Sequence, residues 1–210
     1  DFTYFLEDPQ FGDQFEQVDD RYIYGGSVAK TWNHVHGREF DPRHSIGIQF
    51  RYDDIDEVGL HLTQNRQRTG TVREDQIGEL ALGLFSESEI FWSDRFRTVI
   101  GARVDHYRFD VESDLAANSG KNDDFIFSPK LSFVYAFSDQ VEAYASAGTG
   151  FHSNDARGTT IQVDPATGDP ADPVDPLVQS VGGEFGLRYN WNEQLNSSLA
   201  FWYLELDSEL

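Results

Sequence analysis

The chain has 210 residues and carries 16 Lys+Arg against 37 Asp+Glu, a formal charge of −21. That balance excludes a nucleic-acid binder, which needs a basic face. The absence of cysteine excludes disulfides, thiolate metal sites and cysteine nucleophiles. The length suits one domain or a piece of a larger one, and the start at Asp1 without an initiator Met predicts a processed or excised chain. No apolar run reaches 18 residues, so neither a transmembrane helix nor a signal peptide is expected. Mean hydropathy is −0.53, a value typical of soluble proteins. Membrane barrels share it, because their strands confine apolar residues to every second position.

The period of the chain is two. Strands are expected at 1–7, 21–33, 45–56, 76–93, 95–112, 125–137, 140–151, 178–190 and 195–207. In 46–53, Ile46, Ile48, Phe50 and Tyr52 alternate with Gly47, Gln49, Arg51 and Asp53. In 79–92, Leu80, Leu82, Leu84, Ile90 and Trp92 oppose Glu79, Ala81, Gly83, Glu87 and Glu89. In 125–137, Phe127, Pro129, Leu131, Phe133, Tyr135 and Phe137 share one face; in 183–191, Phe185, Leu187, Tyr189 and Trp191 do so. Successive strand side chains point to opposite faces, so each segment has one apolar side and one polar side. No 3.6-residue stripe competes, and the chain reads as all-β.

Connections fall into two kinds. Ser93-Asp94-Arg95, Ser138-Asp139-Gln140 and Asn192-Glu193-Gln194 are tight turns, and 33–44 falls on the same side by parity. Long polar loops are expected at about 8–20, 57–75, 113–124 and 152–177, the last rich in Asp and Pro. Strands over 76–93 and 95–112 exceed the five or six residues usual in globular sheets. Phe91, Trp92, Phe96, Phe137 and Trp191 gather at the tight turns, as an interfacial aromatic girdle would. Long alternating strands with short turns at one end and long loops at the other predict a transmembrane β-barrel. Nine strands is an odd count and both ends read as cut through strands, so 1–210 is expected to be an incomplete segment: an antiparallel up-and-down meander that does not close.

Particular residues then resemble a family. The run SPKLSFVYAFSDQVEAYASAGTGFHSNDARG (128–158) is similar to late barrel strands of TonB-dependent outer-membrane receptors. Pro129, Leu131, Ser132 and Tyr135 fit a P-x-L-S-x-x-Y strand. Tyr144, Ser146, Gly148, Gly150, Phe151 and His152 fit the Y-x-S-x-G-x-G-F strand that follows. Residues 184–210 look like the next hairpin, and 46–55, 71–89 and 97–111 resemble earlier strands. The resemblance implies part of a 22-stranded barrel of the bacterial outer membrane, whose lumen is filled by a plug. It implies active import of a scarce small-molecule solute, such as a ferric siderophore, with energy supplied through TonB. The partners it implies are outer-membrane lipid and lipopolysaccharide, the plug of the parent chain, and TonB through a region N-terminal to this one. It implies neither a catalytic residue, a cofactor nor a resident metal.

Candidate residues follow from parity and position. Arg51, Asp53, Glu79, Glu87, Glu89, Arg103, Asp105, Lys130, Glu184 and Arg188 fall on the polar side, where a lumen would be. Placing such charges toward lipid costs about 2–4 kcal/mol for a mid-membrane Arg or Lys. They either meet plug and solute or form a structural ladder of paired charges. Gly83 and Gly101 on that face read as packing relief. His152, Asn154, Asp155 and Arg157 open the longest loop, and Arg66, Arg68 and Arg73 punctuate another. His152, Asn154, Asp155, Arg157, Arg66 and Arg68 are the expected ligand or plug contacts. The three loop arginines either meet an anionic chelate or lipopolysaccharide phosphate or offset the acidic surroundings. For His152 to Arg157 the plainer reading is a turn that organises its own backbone. Asp164, Asp169, Asp172 and Asp175 offer oxygens for Ca²⁺ without the EF-hand spacing, and His34, His36 and His44 offer imidazoles on the tight-turn side. No G-x-S-x-G, HExxH or phosphate loop occurs, so no enzyme is expected. The competing reading is a secreted soluble β-domain that binds carbohydrate or Ca²⁺ through acidic loops, which requires a second sheet over the apolar face.

Overall fold

A computed structural model describes residues 2–5, 9–10, 12–33, 41–192 and 194–207. Nine strands run in chain order: β1 (Phe2–Tyr4), β2 (Asp13–Asn33), β3 (Asp41–Gln64), β4 (Gln67–Phe91), β5 (Phe96–Ser113), β6 (Gly120–Ala136), β7 (Val141–Ser153), β8 (Leu177–Asn192) and β9 (Leu195–Leu206). They form one sheet in which each strand pairs antiparallel with the next, an up-and-down meander. Among the described residues β1 and β9 do not pair and no second sheet lies over the apolar face, so the fold is an unclosed piece of a β-barrel. The soluble sandwich weighed from the sequence required that second sheet. No helix of the structure is long and apolar enough to cross a membrane, which says nothing of a barrel.

The two faces differ as the alternation predicts. Register aligns Phe50, Leu82 and His106, and beside them Ile48, Leu84, Val104 and Phe127, in apolar rows across β3 to β6. These side chains are largely exposed: Ile48 at 59%, Leu84 at 51%, Phe127 at 54%. Opposite them Asp53 and Asp105 are 3% and 1% exposed. An apolar face turned outward and a polar face sheltered within is the reverse of a water-soluble protein.

The tight turns share one device. The Ser93 hydroxyl accepts from the N–H groups of Arg95 and Phe96 at 3.3 and 3.1 Å. Ser138 accepts from Gln140 and Val141 at 3.3 and 3.2 Å, and Asn192 from Gln194 and Leu195 at 2.9 and 3.0 Å. In each, a short polar side chain closes the reversal by taking the donors that the ladder leaves over. The indole N–H of Trp191 donates to Ser197 at 3.0 Å and that of Trp92 to Thr98 at 2.9 Å, an apolar body with a polar tip beside each turn. The expected connection at 33–44 lies mostly outside the described residues, as does Glu193.

The opposite end corrects the sequence expectation. Residues 57–75 are not a loop: β3 and β4 continue until Asn65 and Arg66, both at positive φ (51° and 63°), reverse the chain. Likewise β2 begins at Asp13, inside the stretch 8–20. One extra residue on β3 between Ile55 and Val58, which shifts its register against both β2 and β4, and another on β4 opposite Leu60/His61 break the parity there. Each such bulge moves the side chains that follow to the other face, which hides the alternation from a reading of the sequence.

Candidate functional site

On the sheltered face the charges expected to line a lumen are paired, Glu79 excepted, for which no ion pair forms among the described residues. Arg51 donates to Asp53 at 2.6 and 2.7 Å, and Arg21 approaches the same carboxylate at 3.5 Å. Arg103 holds Asp105 at 2.6 to 2.9 Å and reaches Gln49 at 3.2 Å. Lys130 pairs with Glu87, and Glu89 stands between Arg43 (3.5 Å) and Arg97 (3.4 Å). Arg188 donates to Glu142 at 2.8 Å and lies 4.3 Å over the ring of Tyr144, whose hydroxyl donates to Glu184. The face is a lattice of compensated charge. A bare charge there would carry a large desolvation cost.

Glycines make room for it. A Cβ at Gly83 would strike the Arg103 guanidinium and lie 2.7 Å from an Asp105 oxygen, so the pair rests in the gap that Gly83 leaves on β4. A Cβ at Gly101 would meet Lys130 Cε at 2.5 Å, on the path by which Lys130 crosses to Glu87. Both positions relieve packing, as the sequence suggests.

The segment between β7 and β8 folds back over this face. Its short helix α1 (Ala156–Thr160) seats Ala156 among Ile55, Ile77, Phe109 and Val111, which form the apolar cluster of the structure. Asn118, in the 3-10 turn between β5 and β6, is fully buried and latches the segment. Its amide donates to Val163 O at 2.8 Å, and its carbonyl accepts from the N–H groups of Gln162 and Val163, both at 2.9 Å. Thr160 returns a bond to Asn118 O at 2.8 Å.

Of the loop residues singled out, Asn154 and Asp155 organise backbone. Asn154 donates to Asp175 O at 2.8 Å, and Asp155 caps α1 by accepting from Arg157 N at 2.9 Å. Asp155 also accepts from the Arg157 guanidinium at 2.6 to 3.1 Å. Partial burial pulls the Asp155 carboxyl up, but the Arg157 side chain, its charge and its N–H outweigh that pull and hold the group below its ordinary value of 3.8. His152 sits at the end of β7, paired with Val178. Arg157 alone of this set lines a cavity of about 480 Å³ between the folded-back segment and the walls of β2, β3 and β4. Asp19, Arg73 and Asp164 border the same space. Arg73 also donates to Arg157 O at 3.4 Å and pairs with buried Asp75. Arg66 is at the β3–β4 turn, and Arg68 is engaged by Glu16 at 2.7 Å and Glu57 at 3.1 Å. In the acidic segment the Asp164 carboxylate takes the N–H groups of Ala166 and Thr167 at 2.7 and 3.3 Å. His44 bonds Ser88 at 2.8 Å; His34 and His36 lie outside the described residues. Of the three loop arginines the sequence points to, Arg73 is the one that borders this cavity; Asn118 is the contributor to this region that sequence reasoning passed over.

With this geometry in view, the chain matches over residues 1–210 the family model described as "TonB dependent receptor-like, beta-barrel". The chain belongs to that family. No curated protein sequence matches it. Among solved structures, this receptor barrel segment is similar to the ferric citrate transporter FecA in its unliganded form, with a TM-score of 0.72 and 14% identity over 91% of this chain and 28% of that one. It is similar to the alcaligin outer-membrane receptor FauA of Bordetella pertussis, at TM-score 0.60 and 16% identity over 91% and 30% of the two chains. It also resembles a double mutant of the Serratia marcescens hemophore receptor HasR in complex with hemophore HasA and heme, at 0.65 and 15% over 98% and 38%. The receptor segment thus spans about a third of the length of these proteins, and at such identities they share its fold.

Proposed function

We propose that the chain forms wall and mouth of a bacterial outer-membrane transporter, with the apolar face toward lipid and lipopolysaccharide and the sheltered face toward a plug of the parent protein. The transporter imports a scarce small solute, a ferric chelate by analogy with the ferric citrate and alcaligin proteins, with energy delivered through TonB. The observation that carries this is the sheet itself: one unclosed antiparallel meander, matched by the family over its whole length, with its apolar rows exposed. Its charges on the sheltered face are, Glu79 apart, already compensated, as a wall against a plug requires, and no reaction is assigned to them. The cavity bordered by Arg73 and Arg157, each already holding one aspartate, and by Asp19 and Asp164 is where we place the solute, whose donors would meet the remaining N–H groups of the two guanidiniums.

The test is accumulation of radiolabelled ferric citrate and other ferric chelates in cells that produce the full-length protein, with and without TonB. Accumulation of one chelate that requires both is expected. It should fall when Arg73→Ala and Arg157→Ala are combined. Uptake that is indifferent to TonB, or no accumulation of any chelate beyond cells lacking the gene, would overturn the proposal.

A further inference from the structure

Beyond the apolar belt, on the side of the wall away from the cavity, β3 and β4 bring together three donors of different kinds. Glu57, His61 and Glu74 each place a ligand atom within 4.8 Å of the other two. There are no register shifts along β4 from Asp75 to Phe91, so even-numbered Glu74 continues the row of Leu80 and Leu82 rather than that of Glu79. The cluster is therefore separated by the sheet from Arg73 and Arg157 and lies off any path for a solute.

His61 makes this more than an acidic patch. It is 0% exposed, and its Nε2 is buried without a hydrogen-bond partner. Its Nδ1 is held by the Thr71 hydroxyl at 3.1 Å, the kind of second contact that fixes an imidazole for metal ligation through its other nitrogen. Nε2 points at Glu57 Oε1 3.3 Å away without the alignment of a hydrogen bond. Two donors bound to one tetrahedral zinc at about 2.0–2.1 Å stand about 3.3–3.4 Å apart. The space beside Nε2 is kept open by Gly59, where a Cβ would lie 2.7 Å from that nitrogen. Charge agrees: three carboxylates, Glu16, Glu57 and Glu74, lie around His61, and the guanidinium of Arg68 contacts two of them, Glu16 and Glu57. Arg68 grips Glu16 through Nε at 2.7 Å and can stay there while Glu57 turns to a cation.

From this geometry we infer that Glu57, His61 and Glu74 form a resident site for a divalent first-row transition metal, zinc in the first place, which clamps the projecting β3–β4 hairpin. Exposed Glu74 closes over the ion from solvent, and a water completes four-coordination. One imidazole nitrogen with two carboxylates suits zinc or cobalt better than the oxygen-only preference of Ca²⁺ or Mg²⁺.

The experiment uses the full-length protein in detergent micelles, stripped with chelator and titrated with Co²⁺ as the spectroscopic probe, then with Zn²⁺ in competition. One equivalent of Co²⁺ should give the intense visible bands of a four-coordinate site, and Zn²⁺ should bleach them. His61→Ala should abolish the bands, Glu74→Gln should weaken binding at least tenfold, and Thr71→Ala should weaken it about tenfold through the lost orientation of the ring. Absence of such bands would overturn the inference and leave His61 and Glu57 as an ordinary ion pair. Bands that persist unchanged in Glu74→Gln and His61→Ala would overturn it equally, by placing the metal elsewhere. If His61→Ala does not fold, Glu74→Gln decides alone, since its side chain is exposed.

Discussion

Arg103 lies along its own strand onto Asp105, two residues on, so that one guanidinium closes three contacts of 2.6 to 2.9 Å on a carboxylate that is 1% exposed. The pair runs parallel to the strand rather than across the ladder. Residues i and i+2 share a face, and the long Arg reaches the short Asp without leaving it. The same relation joins Arg51 to Asp53 and Arg73 to Asp75. The buried aspartates of β3, β4 and β5 are therefore each neutralised from within their own strand, whereas Glu87, Glu89 and Glu142 are met by cations of neighbouring strands.

Breaking such a pair from the exposed partner should be costly. Arg103→Ala in the full-length protein is expected to lower unfolding free energy by about 3 kcal/mol, because Asp105 is left buried and bare. Replacing both together, as Arg103→Met with Asp105→Leu, is expected to recover most of that loss. Urea unfolding of the refolded barrel followed by tryptophan fluorescence measures both. A double variant no better than the single one would show that the pair is not the source of the cost.

Gly83 gives a second handle on the same pair. The Cβ of Gly83→Ala would displace the Arg103–Asp105 contact, with an expected cost of about 1–3 kcal/mol from overpacking. Gly168, which has nothing within 4 Å but sits at φ 78°, would instead cost about 1 kcal/mol as alanine, for backbone reasons alone. Combining Gly83→Ala with Arg103→Ala should be less than additive, since the guanidinium that clashes is gone. Additive losses in the same unfolding assay would refute the shared cause.

The tight turns make a smaller and more local prediction. Ser138→Ala removes the acceptor for Gln140 and Val141, and is expected to cost about 1 kcal/mol and to slow refolding little. Ser138→Asn keeps an acceptor of similar reach, as Asn192 does at its own turn, and should stay within about 0.5 kcal/mol of the parent. Equal losses from both substitutions would show that the hydroxyl bonds contribute nothing specific.

How far the sequence spoke for itself can be read from these residues. Strand existence and facing were legible wherever one face is apolar: Leu82 and Leu84 against Gly83, Phe127 against Ser128. The three turns were legible because Ser93, Ser138 and Asn192 each stand at the start of a short polar break. Past the bulge on β3 between Ile55 and Val58, the alternation failed as a guide. There both faces carry polar residues, and nothing in the composition separates a projecting hairpin from a loop. The R-x-D spacing of Arg51 and Arg103 was visible as residues on one face, but not as partners, since only packing against a neighbour shows which reach is open; that of Arg73 fell in the stretch read as a loop. Asn118 was beyond reach in a different way. Its role depends on Gln162 and Val163, more than forty residues on, and no local pattern marks a latch whose other half is a loop.

That latch yields the last prediction. Asn118→Ala removes three bonds from a fully buried site and leaves the N–H groups of Gln162 and Val163 without their acceptor. About 2–3 kcal/mol of local stability should be lost, confined to 154–176 rather than spread over the barrel. Hydrogen exchange would show it as faster exchange at Gln162 and Val163, with β4 and β5 unchanged. The Asp155–Arg157 contact adds a dependence on pH. Asp155 has a folded value below its ordinary 3.8, so its contribution is fully present above that value and disappears as pH falls through the lower folded one. The segment should therefore hold at neutral pH and loosen only below about pH 4. Asp155→Asn should remove that acid dependence while the Asn118 latch stays in place. Loosening that begins near pH 6, or that survives Asp155→Asn unchanged, would assign the effect to another group.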